Sequence, residues 1–71
     1  MRWRPYFICI DEVGNLVRWR VRLRGTTVAA GTVDPETYGG EPEEQLNSAY
    51  EWAWNLANSR RRELLTEGQE L

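Results

Sequence analysis

The chemical capacity of this chain lies in its arginines, and their spacing is informative. Arg18, Arg20, Arg22 and Arg24 alternate with Val17, Trp19, Val21 and Leu23. Successive side chains of an extended strand point to opposite faces, so this pattern makes one apolar face and one face of guanidinium groups. Guanidiniums recognise carboxylates and phosphates through a planar fork of donors, and they supply no base at neutral pH. The rest of the composition removes the common catalytic groups. There is no histidine and no lysine, hence no Ser-His pair and no Schiff-base amine. Cys9 is the only cysteine and falls inside a strand pattern with no base beside it, which predicts a structural thiol. That ligand supply does not make a structural zinc site, and the acids lack calcium-ligand spacing. Gly39-Gly40 precedes Glu41, an acid where a phosphate-binding loop needs a neutral or positive approach. The composition predicts a non-enzymatic protein with no catalytic residue, no metal and no cofactor.

The elements that must position the arginines follow from the pattern on either side of them. Tyr6-Phe7-Ile8-Cys9-Ile10 is β-rich and predicts a first strand, with Pro5 where a strand can begin. Asp11 to Asn15 is turn chemistry, with Gly14 and Asn15 able to take positive φ. The alternating run to Arg24 is the second strand, Arg24-Gly25-Thr26 a tight turn, and Thr27 to Val33 the third strand. Asp34-Pro35-Glu36-Thr37 predicts a type I turn. Pro42, with Glu41, Glu43 and Glu44 around it, marks a helix start. The helix is expected to run to about Arg62, with Leu46, Tyr50, Ala53 and Ala57 on its buried stripe and Ala49 and Leu56 at the margins. Arg60, Arg61 and Arg62 would then close its negative end. The fold class is α+β: a three-stranded antiparallel meander followed by one C-terminal helix packed on one face, β-β-β-α. Residues 1–65 form a single small domain and 66–71 a frayed tail.

In this arrangement the apolar face of strand two lies under the helix and the arginines occupy the open face. The parity of strand one is undetermined. With Ile8 and Ile10 inward, Trp3, Phe7 and Cys9 join the arginines; with the opposite parity, Tyr6, Ile8 and Ile10 do. The open face is then either a solvated surface, with arginine stems over apolar neighbours, or a contact for an acidic protein surface or a phosphate backbone. Trp54 is placed at the edge of the core. Trp52 falls well outside the buried stripe, as a cover for the sheet margin or an anchor for a partner or second copy.

A chain of 71 residues with one cysteine must fold on a small core without a disulfide, or with help from a partner. A lone cysteine fits a reducing compartment. Met1-Arg2-Trp3-Arg4-Pro5-Tyr6 has no apolar core of a signal peptide, and no run approaches a membrane span. The cytoplasm is the expected location, without membrane attachment. The net charge of −2 hides an asymmetry. Residues 1–33 carry six arginines against Asp11 and Glu12, and residues 34–71 carry nine acids against three arginines. The basic half suits an acidic partner, and the acidic half opposes nucleic acid unless it faces away.

Two resemblances add to this reading. The stretch Gly14 to Thr32, with Arg18-Trp19-Arg20-Val21, then Gly25 and Val28-Ala29-Ala30, resembles the repeat of the YegP-like domain family. There a strand of the form R-W-R-L is followed by a turn, an N-G-x-V-I-A strand and a closing helix. This chain has one extra residue after Gly14, lacks the asparagine before Gly25 and has a longer crossover, so the resemblance bears on fold. The second resemblance is of type. A small sheet-plus-helix chain with an arginine strip and the acid-led helix Glu43 to Trp52 is similar to phage-encoded regulators that bind bacterial RNA polymerase. The absence of lysine, which fits GC-rich coding, agrees with a bacterial or phage source. A likeness to three-stranded sheets that read DNA, such as integrase arm-binding domains, rests on arginines at the open face. The resemblance to phage-encoded regulators implies an interaction protein that occupies an acidic surface on a larger host protein, RNA polymerase, and inhibits or modulates transcription in the host cytoplasm. Its contact residues would be Arg2, Trp3, Arg4, Arg18, Arg20, Arg22 and Trp52. The alternatives are a nucleic-acid binder using the same strip and a structural homodimer that buries the open face, the chain otherwise being a monomer or weak homodimer.

Overall fold

A computed structural model describes residues 6–69. The chain forms three antiparallel strands, β1 (Tyr6–Val13), β2 (Leu16–Leu23) and β3 (Thr26–Val33), a short 3-10 turn (Pro35–Thr37) and one helix, α1 (Pro42–Gln69). The sheet order is β1-β2-β3, and the helix lies across one face, as the expected β-β-β-α plan requires.

Two-residue loops set the register. Gly14 has φ 61°, and only glycine takes that conformation without strain at the first position of a hairpin turn. This pairs Val13 with Leu16, and from there Asp11 with Arg18, Cys9 with Arg20 and Phe7 with Arg22. Arg24 (φ 53°) and Gly25 (φ 83°) form the second turn, with the double positive φ of a type I′ hairpin. The register between β2 and β3 shifts at Val21/Arg22, so Val28 is the residue of β3 left without a direct partner.

The buried core consists of Val17, Val21, Val33, Ala49, Ala53 and Ala57. Valines form the floor and alanines, spaced four apart on one line of the helix, form the roof. With methyl groups alone between backbone and floor, the helix sits close to the sheet. Ile10, Trp19, Tyr38, Leu46, Tyr50 and Leu56 pack around the rim. Gly31 lies directly opposite Trp19, and a Cβ there would meet the indole at 2.6 Å. The large ring of Trp19 therefore fits under the helix because its neighbour has no side chain. The indole Nε1 is enclosed and has no hydrogen-bond partner.

Several boundaries differ from expectation. The first strand continues through Asp11, Glu12 and Val13, because each gains a cross-strand partner on β2 once the loop shortens to Gly14-Asn15. Asp34 caps the 3-10 turn, its Oδ1 accepting from the Glu36 amide at 3.0 Å. The helix starts as expected, with Glu44 Oε1 accepting from the Glu41 amide at 2.9 Å. It does not stop near Arg62. Glu63-Leu64-Leu65 contains no breaker, and the helix runs on to Gln69. Residues 66–69 of the expected tail are thus helical. A helix of this length is about 42 Å long and an eight-residue strand about 26 Å, so α1 overhangs the sheet, as the 46 × 19 × 16 Å extents record. The centre of the buried stripe also moves: Ala49, expected at the margin, is fully buried, and Tyr50 sits at the rim.

Candidate binding surface

The strand register decides the open question of parity. Tyr6, Ile8, Ile10 and Glu12 share the helix-covered face with Leu23, Val21, Trp19 and Val17, and Phe7, Cys9, Asp11 and Val13 share the open face with Arg22, Arg20, Arg18 and Leu16. From β3, Thr32 and Ala30 stand beside Arg18 and Arg20, and Thr27 beside Arg22. Among the described residues Phe7 is the most exposed of the large apolar side chains, at 64 %, and Val13 is also open to solvent.

The arginine strip is shorter and less uniform than expected. Arg24 belongs to the β2–β3 turn, where its positive φ takes it out of the alternating row. Three guanidiniums remain on the face, and Asp11 meets two of them. Arg18 donates from Nε to Oδ1 at 3.1 Å and from Nη2 to Oδ2 at 2.6 Å, a two-point fork. Arg20 Nη2 lies 3.6 Å from the same Oδ2. The hydrogen bond from Arg18, with the nearby charge of Arg20 adding to it, holds the Asp11 carboxyl below its ordinary pKa, and the same bond raises that of Arg18. Arg22 donates from Nη2 to the Gly25 carbonyl at 2.5 Å and has no carboxylate partner among the described residues. The Nε groups of Arg20 and Arg22 are closed off from solvent without an acceptor. Each of these stems is thus covered as far as its Nε.

Asp11 is the member of this surface that sequence reading missed. Its acidity beside Gly14 marked it as turn. The signal that reveals it is the two-residue loop: if Gly14-Asn15 alone turns the chain, Asp11 must face Arg18.

The remaining expected site residues fall elsewhere. Arg2, Trp3 and Arg4 lie outside the described residues. Trp52 is exposed at 52 %, on the helix and away from the open sheet face. Trp54, expected at the core edge, is exposed as well. The two tryptophans stand about 100° to either side of Ala53 on the helical wheel, so each flanks the buried stripe and stays about half exposed. Arg60, Arg61 and Arg62 lie well before the helix end and do not cap it. Arg60 instead pairs with Glu63 at 2.8 Å, and Arg61 donates to Asn58 Oδ1 at 2.9 Å.

One polar link ties the helix to the sheet margin. Tyr50 donates its hydroxyl proton to Glu12 Oε2 at 2.8 Å, and this bond to a carboxylate raises the tyrosine pKa. Gln45 makes a second link, donating from Nε2 to the Tyr38 carbonyl at 2.7 Å. A shallow groove on the overhanging part of the helix is lined by Ser59, Arg62, Glu63 and Thr66. Among the described residues no group of three potential metal ligands comes together, and no helix is long and apolar enough to cross a membrane. Comparison with protein-family models, with curated proteins and with solved structures finds no match.

Proposed function

We propose that this chain is a non-enzymatic interaction protein whose open sheet face seats on an acidic surface of a larger protein. The observation that carries the reading is Phe7, largely exposed and paired directly with Arg22, on a face with three guanidiniums against the single carboxylate of Asp11. An exposed aromatic beside arginine is the composition of an interface hot spot. Arg18 is already occupied by Asp11, so Arg20, Arg22 and Phe7 form the core of the contact, and Arg18 contributes as part of a rigid fork. Among the described residues of this face, the two guanidiniums not forked to Asp11 would give a salt slope of about −1.8 against phosphate. A protein carboxylate surface, which also accepts the phenyl ring, suits the face better. The favoured partner is bacterial RNA polymerase, with the chain acting as a phage-type regulator in the host cytoplasm. Inhibition by occupation of a surface needs no catalytic group.

The test uses purified bacterial RNA polymerase. Saturable binding and reduced transcript yield are expected with the natural chain. Arg20→Glu with Arg22→Glu should abolish both while the circular dichroism spectrum stays unchanged. Absence of binding by the natural chain removes the polymerase as partner. Undiminished binding by the folded double variant removes the face. A shift of duplex DNA at ~50 mM salt would favour the nucleic-acid reading instead.

A further inference from the structure

The two edges of this sheet are not equally defended. Exposed edge strands are normally blunted by charge, proline or a covering element. The β1 edge carries Asp11 and Glu12. The β3 edge, Thr-Thr-Val-Ala-Ala-Gly-Thr-Val, carries no charge and no proline. Its bulge lies at Val28, near its start, and leaves Ala29–Val33 as a regular ladder against β2. Such an edge can meet its own copy antiparallel with no like charges opposed.

A second observation lies on the same margin. Tyr50 bonds to Glu12 of β1. This contact turns that flank of the helix toward β1. Trp54 lies on the Tyr50 flank, and Trp52 on the opposite flank, away from β1 and toward β3. Trp52 sits at the level of Ala49 and Ala53, which pack on Val17 and Val33. It therefore projects beside the regular part of β3.

We infer that β3 pairs antiparallel with β3 of a second copy, forming a six-stranded sheet in which the two Trp52 side chains fill the space between the helices. The spacing supports this. The helix rests on β2, whose Val17 and Val21 are fully buried. In the dimer the two β2 strands are three strand spacings apart, about 14 Å. Helices pack directly at about 8–10 Å, so the pair leaves a gap that small side chains cannot close. The Trp19 indole against Gly31 of β3 floors that gap, and Trp52, half exposed on the helix flank opposite Tyr50, is the large side chain available to fill it. This association leaves the open face free, unlike a dimer that buries it. It also aligns the Arg20–Arg22 strips of both copies on one face. It does not depend on the proposed protein partner.

The experiment is sedimentation velocity of the full chain at high and low concentration, joined to amide hydrogen exchange at each. The sedimenting mass should move from one copy toward two as concentration rises, and the added protection should fall on Ala29–Val33 and not on β1. Thr32→Lys places a charge on the exposed edge and should weaken association about tenfold or more. Trp52→Ala should weaken it as well, with the monomer folded by circular dichroism. Arg20→Glu should leave it unchanged. A monomer at every concentration, protection on β1, or association abolished by Arg20→Glu alone overturns the inference.

Discussion

The two faces of the sheet use the same strand differently. On the covered face, β2 contributes Val17, Trp19 and Val21, and the helix answers with Ala49, Ala53 and Ala57. Here shape decides: methyl groups allow close approach, and a glycine opposite makes room for an indole. On the open face the same strand contributes Arg18, Arg20 and Arg22 beside Asp11, and charge decides. A close-packed interior is sensitive to one methylene, whereas a solvated face tolerates volume and responds to charge.

The largest effect is expected at Ala53. Ala53→Leu inserts three carbons where the helix meets Val17 and Val33, and overpacking of this kind costs about 1–3 kcal/mol. In a domain of this size that is a large part of the total. Ala30→Leu makes the same change on the open face beside Arg20, where substitutions stay within about 0.5 kcal/mol. Urea unfolding of both variants checks the contrast, and equal losses would mean that the open face is packed as well.

Gly31→Ala should come next. Its Cβ would fall 2.6–2.7 Å from the Trp19 ring, so the indole must move. A loss of about 1–3 kcal/mol is expected, together with a change in tryptophan emission that Ala30→Gly, one residue along on the other face, should not cause.

This packing was only partly legible in the sequence. Strict alternation in β2 fixed its two faces, and Pro42 with its neighbouring acids marked the helix start. The alanine spacing predicted a close helix, although it did not say that Ala49 would lie at the centre. Asp11 and Glu12 have low strand propensity, and their strand state depends on partners that arise only through the hairpin register. The helix end was missed because Arg60-Arg61-Arg62 resembles a terminus, whereas continuation depends on the absence of a breaker as far as Gly68. The helical wheel puts Trp54 at the edge of the buried stripe, and in the fold that edge stays open to solvent.

At the margin between the faces, Tyr50→Phe removes the bond to Glu12 and should lower stability slightly. The pH profile is more specific. The folded tyrosine has a pKa raised above 10.0 by the Glu12 carboxylate. A raised value stabilises the fold below pH 10 and loses that contribution as pH rises through the folded value. The natural chain should therefore weaken in alkali more than Tyr50→Phe does. Identical profiles would show that the hydroxyl does not hold the helix in solution.

The smallest effect on stability, and the most telling for the open face, is expected from Asp11→Asn. The folded Asp11 carboxyl is depressed below 3.8 by its fork to Arg18, so its contribution is present above that pH and fades as pH falls through the folded value. The variant should lose little at neutral pH, since the ion pair is partly open to water and screened by it, and should show a flatter acid limb in a pH titration of unfolding. Binding should move the other way. Without the carboxylate, Arg18 regains its fork for an external acid and the face gains one positive charge. Association with an acidic protein surface should then quicken, most at low salt where the field is least screened. Slower association of Asp11→Asn would mean that Asp11 is there to hold the arginines in position, and that their geometry matters more to the contact than their charge.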